Sequence, residues 1–245
     1  MNTGPGSPAV QRAAALLSEL AVHPHGLTVP ELARRLATAK SSVVDLVSTL
    51  VAESAVTRDE NGVVCLGGRM VEIASGFVGG TRLIKEFPRA CSRVVELDGS
   101  AVVLAVRVGG DIAHVAVRDG VRPLPLTLTP GMRLPAWSTA TGIALLGELS
   151  DESVDRLFRD VPATSPSGLT LDPQRLRAAR AKYRRHGWAS NEGVEEMTLA
   201  GTATTVMVEG RVLAAVGVVR PRGEGTRSKD ASAIRRLAHD LASRA

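Results

Sequence analysis

Two short helical periods separated by a four-residue turn constrain this chain more than any other feature. In TVPELARRLA, Thr28 stands as an N-cap and Pro30 lies in the first turn, where a missing N–H costs nothing. Glu31, three residues after Thr28, completes a capping box. Leu32, Ala33 and Leu36 then share one face. After the turn Ala37-Thr38-Ala39-Lys40, the stretch AKSSVVDLVSTL places Val43, Leu46, Val47 and Leu50 at i, i+3, i+4 and i+7, the pattern of a helix with one buried face. Its other face carries Ser41, Val44, Asp45 and Ser48, small groups that suit close approach to another surface.

The flanks complete a recognisable unit. Upstream, Val10, Ala13, Leu17, Leu20 and Ala21 recur with helical period until Pro24 and Gly26. Downstream, AVTRDENGVVCLG reads as two short strands joined through Glu60-Asn61-Gly62. Three helices and a hairpin in this order make a winged helix-turn-helix. The expected division is a tail at residues 1–8, a winged helix at 9–67, a linker helix at 68–80 carrying Met70, Ile73 and Phe77, and a second domain at 81–245.

That second domain mixes helices and antiparallel strands without a βαβ period, so the fold class is α+β. TRLIKEFPRACSRVVELDG is a helix kinked or bounded near Pro88. AVVLAVRV and IAHVAVRD pair around Gly109-Gly110, PLPLTLTPG is a prolyl edge segment, and STATGIALLGEL starts another helix. LDPQRLRAARAKYRRHG is a basic amphipathic helix opened by Asp172 and Pro173, whose arginines are expected on a solvated face, the alternative being a nucleic-acid patch. TATTVMVEGRVLAAVGVV is a hairpin about Glu209-Gly210, and SKDASAIRRLAHDLASRA is a terminal helix.

Charge and motifs narrow the function classes. The net charge is +5, yet residues 1–67 hold five basic side chains (Arg12, Arg34, Arg35, Lys40, Arg58) against six acidic ones (Glu19, Glu31, Asp45, Glu53, Asp59, Glu60). Composition alone does not point to nucleic acid. No stretch of 18 apolar residues spans a membrane, the first residues lack the pattern of a signal peptide, and two cysteines fit a reducing cytoplasm. The motifs of common hydrolases, P-loops, dinucleotide folds and zinc proteases are missing; GEGTRSK has the wrong spacing for a phosphate loop, and the five histidines are scattered. No cofactor and no metal are expected, and an enzyme with an appended helix-turn-helix is disfavoured.

Along nearly its whole length the chain resembles the IclR family of bacterial transcription regulators. The resemblance rests on Gly26-Leu27-Thr28, Glu31-Leu32-Ala33, Lys40-Ser41-Ser42-Val43 and Leu66-Gly67, then on LPAWSTATGIALLGEL and HGWASNEGVEEMTLAGTATTVMV. It implies a winged helix joined by a linker helix to a GAF-like effector-binding domain. The chain departs from the family pattern at Asp45, where a basic residue is common, at Trp137 and Ile143, where His and Lys are usual, at Val194 in place of a glutamate, and at Gly201 in place of a cysteine.

Two sets of site residues follow. For DNA, the helix beginning at Lys40 enters the major groove. Ser41 and Ser42 at its N-terminus, with Lys40, Arg58 and Thr28, meet phosphates, and Val44, Asp45 and Ser48 face base edges. Asp45 either accepts from cytosine N4 or lies at the groove rim, where it weakens non-specific binding or pairs with a neighbouring arginine. For an effector, Thr139-Ala140-Thr141-Gly142 offers free backbone N–H groups to a ligand carboxylate, or is an ordinary capped helix start packed on a sheet. By resemblance Leu124, Leu126 and Leu134 form an apolar wall, with Asn191, Glu192, Gly201 and Thr202 opposite. Trp137 either lines this pocket, favouring a carboxylate with an apolar or aromatic body, or packs into the core. The partners expected are an operator in double-stranded DNA, such a small effector, and a second copy of the chain as a homodimer or dimer of dimers. The alternative is a ligand-independent regulator with a vestigial pocket.

Overall fold

The computed structural model describes residues 7–121, 123–159, 168, 170–191, 199–223 and 227–245. It divides into two compact units, Met1–Gly80 and Thr81–Ala245.

In the first unit, α1 (Pro8–Ala21) is followed by β1 (Leu27–Thr28), α2 (Val29–Arg35), α3 (Lys40–Ala52), β2 (Val56–Arg58), β3 (Val63–Leu66) and α4 (Arg69–Gly80). The capping box forms: the Glu31 carboxylate accepts from the Thr28 N–H at 2.8 Å and from its hydroxyl at 2.7 Å. Those bonds hold the Glu31 carboxyl below the usual carboxylate range. The three strands pair in the order β1-β3-β2, with Thr28 opposite Val63 and Arg58 opposite Val64. At the wing tip, Asp59 Oδ1 accepts from the Val63 N–H at 2.8 Å. Leu16, Leu20, Leu32, Val43, Val47, Val56 and Val64 make one core. Each such side chain contributes roughly 1.5–3 kcal/mol of burial.

In the second unit, α5 (Arg82–Ser92) runs through Pro88 and ends before a 3-10 turn at Val95–Leu97. A six-stranded antiparallel sheet follows, made of β4 (Ala101–Val108), β5 (Asp111–Arg118), β6 (Arg133–Pro135), β7 (Ala189–Ser190), β8 (Leu199–Val208) and β9 (Arg211–Pro221). Its order is β6-β5-β4-β9-β8-β7. The edge strand is Arg133–Pro135, just beyond PLPLTLTPG, whose three prolines lack the N–H a ladder needs.

Strand alternation divides the apolar residues between two faces. Val102 and Leu104 of β4, with Ala214, Val216 and Val218 of β9, pack on α5 and on Ile234, Leu237 and Leu241 of α9 (Arg227–Ala242). The opposite face, including Ala105, Ala203 and Ala215, receives α6 (Ala140–Gly147) and α8 (Pro173–His186). Between those two helices lies α7 (Asp151–Phe158).

The basic run of α8 is not simply a solvated face. Arg180 is 2% exposed; its guanidinium donates to Leu146 O at 2.9 Å and Leu149 O at 2.7 Å, and it pairs with Asp151 at 2.8 Å. Arg184 donates to Gly147 O at 2.9 Å and Leu149 O at 2.6 Å. The two arginines thus close the orphan carbonyls at the C-terminal end of α6, where the helix dipole favours cations. Burial lowers the Arg180 pKa.

Candidate functional site

Two surfaces carry the residues singled out by sequence, one in each unit. In the first, α3 buries Val43 and Val47 and turns Ser41, Val44, Asp45 and Ser48 outward. Ala39 stands at the N-cap and has no side chain to accept from the first-turn N–H groups. Lys40 and Ser41 are exposed there and Ser42 is half-buried, so the helix start is a positive dipole end open to an anion. Asp45 forms no ion pair among the described residues, which disposes of the pairing alternative within them. Arg58 is exposed on β2 at the wing, and Thr28 is engaged with Glu31. Arg35 and Arg69 are drawn to Glu19 at 3.6 Å and Glu53 at 3.8 Å.

In the second unit, a cavity of about 460 Å³, measured out to its open mouth, lies between the sheet and the start of α6. Its floor uses Val103 beside Gly217 and Gly201 beside Val219, neighbours across β4, β9 and β8. A Cβ on Gly217 would come within 2.9 Å of Thr141 Cγ2, so α6 approaches the sheet more closely than a side chain there allows. Leu126, Leu128, Leu134 and Leu199 supply further apolar lining, and Thr139, Ala140 and Thr141 bring the helix start to the cavity. No Asp, Glu, Lys or Arg lines it among the described residues.

Several expectations are corrected here. Trp137 is 7% exposed and packs with Ile143, Leu146 and Tyr183 in the core beneath α6 rather than against the cavity. Gly142 is closed to a ligand, because a Cβ there would lie 2.1 Å from Ala136 O. Its N–H, moreover, is taken by the Thr139 hydroxyl at 3.0 Å. Leu124 packs beside Val103 and Leu128 without reaching the lining, and Thr202, opposite Val218, faces the other side of the sheet. Asn191 lines the cavity, but its amide is engaged with β8: Oδ1 accepts from the Gly201 N–H at 2.7 Å. Glu192 lies outside the described residues.

Several lining residues escaped the sequence reading, Val103, Leu128 and Gly217 among them, and the one that differs in chemistry is His114. His114 on β5 is 4% exposed, and its Nδ1 is buried with no hydrogen-bond partner among the described residues. Burial pushes its pKa down to about 4, so the ring is neutral near pH 7. The signal was present in DIAHVAVR: His114 sits two residues from Ile112, on the alternate that faces α6.

Each unit has counterparts among known proteins. The family model for the IclR helix-turn-helix domain matches residues 9–60, and that for the bacterial transcriptional regulator IclR C-terminal domain matches residues 76–244. The Pca regulon regulatory protein of Pseudomonas putida is 26% identical over 206 residues, which cover 83% of this chain and 70% of that protein. The crystal structure of the Agrobacterium tumefaciens repressor BlcR superposes with a TM-score of 0.61 at 26% identity and covers 98% of both chains. An IclR homolog from Microbacterium hydrocarbonoxydans, complexed with 4-hydroxybenzoate, gives a TM-score of 0.78 at 23% identity, covering 96% of this chain and 98% of that one.

Proposed function

The chain belongs to the IclR family of bacterial transcription regulators, and from that premise we propose that a small metabolite in the second unit controls how its DNA-binding unit holds an operator. The protein is a DNA-binding transcription regulator, and its relatives are regulators rather than enzymes. The observation that carries the effector reading is the cavity itself. It is apolar, it reaches the start of α6, and a buried histidine lines it. Mostly apolar pockets with a few convergent polar groups are how proteins take small ligands. The homolog bound to 4-hydroxybenzoate supports an aromatic acid as the class to test first.

On the DNA side, α3 lies in the major groove with its uncapped start against a phosphate. Lys40 and Arg58 neutralise backbone charge, while Val44, Asp45 and Ser48 face base edges. Two cations are few for a specific complex, so the operator is held by two copies of the chain, as a dimer or dimer of dimers. The exposure of Ile73 and Phe77, one turn apart on α4 at 60% and 54%, supports pairing of that linker helix with a second copy. As with the repressor BlcR, occupancy of the operator would block transcription, and the protein would act in the cytoplasm.

Selection of duplexes from a random library by the full chain tests this reading. The expected product is a two-fold symmetric site, lost or weakened for Lys40→Ala. Enrichment of no sequence, or undiminished binding by residues 81–245 alone, contradicts it.

A further inference from the structure

The basic residues of α8 fall into two sets. Its 14 residues hold five arginines, one lysine and no acid. Arg180 and Arg184 turn toward α6 and pair with Asp151, and Arg175 pairs with Asp172. Arg177, Lys182 and Arg185 are exposed and form no ion pair among the described residues. They share the outward side of the helix with the exposed, small Ala178 and Ala181. At the end of the helix the Arg235 guanidinium of α9 donates to His186 O and adds a further positive charge. Lys182 Nζ stands 5.6 Å from the centre of the half-buried Trp188 ring, which holds its ammonium beside the same face. The helix beneath is fixed: the Tyr183 hydroxyl lies 2.8 Å from that of Thr205 on β8, and Arg180 and Arg184 are bonded to carbonyls of α6 and the residues after it.

We propose that this outward face of α8 is a second, sequence-independent contact with duplex DNA, in which Arg177, Lys182 and Arg185 meet phosphates. The proposal rests on the chain being a DNA-binding regulator and is independent of the effector reading. Compensation of the helix dipole accounts for basic residues in the last turn, Arg184, Arg185 and His186, but not for Arg177 or Lys182. Charge in the chain is divided in the same sense. Residues 1–67 hold five basic side chains against six acidic ones, whereas residues 81–245 hold 24 against 18. A duplex matches the face in density: over the roughly 12 Å from Arg177 to Arg185 it carries about seven phosphates on its two strands. Ala178 and Ala181 let that backbone come close. An acidic protein is the weaker fit, because no large apolar side chain of α8 is exposed to anchor a protein interface.

The test is fluorescence anisotropy on the full chain with two duplexes, the selected site and a scrambled sequence of equal length, between about 50 and 300 mM salt. In Arg177→Gln/Lys182→Gln/Arg185→Gln the affinity for both duplexes should fall by the same factor, about tenfold at the low end, since phosphate contacts carry no sequence information. The slope of log affinity against log salt should become shallower by about two to three per protomer. Arg177→Lys/Arg185→Lys, which keeps every charge, should bind both duplexes within about twofold of wild type. An unchanged slope in the glutamine variant overturns the proposal and leaves the face to an acidic protein. A loss confined to the selected duplex also overturns it, because the substitutions then act through α3. So does an equal loss in the lysine variant, which would make the role one of packing. A wild type that binds both duplexes alike removes the reading of α3 as a base reader and leaves this test intact, since the slope is measured on either. Binding to neither duplex overturns both.

Discussion

Two helices of this protein begin alike and end up in different solvents. The start of α3 reads Ala39-Lys40-Ser41-Ser42, and that of α6 reads Thr139-Ala140-Thr141-Gly142. Both present small residues at a positive dipole end. At α3 the cap is an alanine, Lys40 and Ser41 are exposed, and water competes for every N–H. At α6 all eight residues are buried, a threonine caps one N–H, and two arginines close the far end. The same local chemistry is therefore weak, screened and suited to a long polyanion in one place, but strong, selective and suited to one small anion in the other. What separates them is packing, which the two tetrapeptides do not encode.

The largest effects are expected where packing holds α6. Trp137→Ala should destabilise the second unit by about 3–5 kcal/mol in urea unfolding, because it empties the core beneath the helix. A loss under ~1 kcal/mol would return Trp137 to the cavity wall. Next, Arg180→Met should remove about 3 kcal/mol. It strips Leu146 O of its partner and leaves Leu149 O and Asp151 to Arg184, and an unchanged melting curve would show that the closure of α6 is cosmetic.

Titration tests the burial of the cavity's lining in another way. The folded-state pKa of His114, about 4, lies below the ordinary value of 6.5, so the unfolded chain binds the extra proton first. That contribution to stability is complete above about pH 6.5 and is lost as pH falls toward 4, by up to roughly 1.4 kcal/mol per pH unit. Stability profiles of wild type and His114→Phe should diverge in that window; parallel profiles would mean that His114 is solvated.

Smaller changes are expected at α3. Lys40→Ala should weaken binding to all duplexes by about tenfold and lower the salt slope by about one per protomer. A loss confined to one sequence would make Lys40 a base reader instead. Asp45→Asn should strengthen non-specific binding by roughly two- to fivefold, since it removes a charge that phosphate repels. If the preferred sequence found by selection also changes, Asp45 reaches a base; if not, it is a rim residue.

The unequal legibility of the two sites has the same origin. Periodicity, caps and turn residues act over three to four positions, so Thr28 with Glu31, the wing turn through Glu60-Asn61-Gly62 and the Glu209-Gly210 hairpin were all readable. The exposed face of α3 followed from its period alone. The cavity instead depends on which strand lies beside which. Placing His114 on its floor required β4 between β5 and β9, and excluding Thr202 required the register of Thr202 opposite Val218. Gly142 looked like an open N–H donor because nothing local shows how closely Ala136 packs on it. Arg180 and Arg184 looked like solvated charges because their acceptors, in α6 and just beyond it, lie more than 30 residues away.

The central claim, that the cavity governs the grip of α3 on DNA, is tested most directly by measuring one coupling in two directions. The affinity of the full chain for its selected duplex is determined by fluorescence anisotropy with and without saturating 4-hydroxybenzoate. The affinity for that acid is then determined by calorimetry with and without the duplex. Linkage requires both ratios to be the same factor, and control by the cavity predicts a factor of roughly 5–150, vanishing in Leu128→Trp. An acid that binds the cavity while both ratios stay at one would contradict the account.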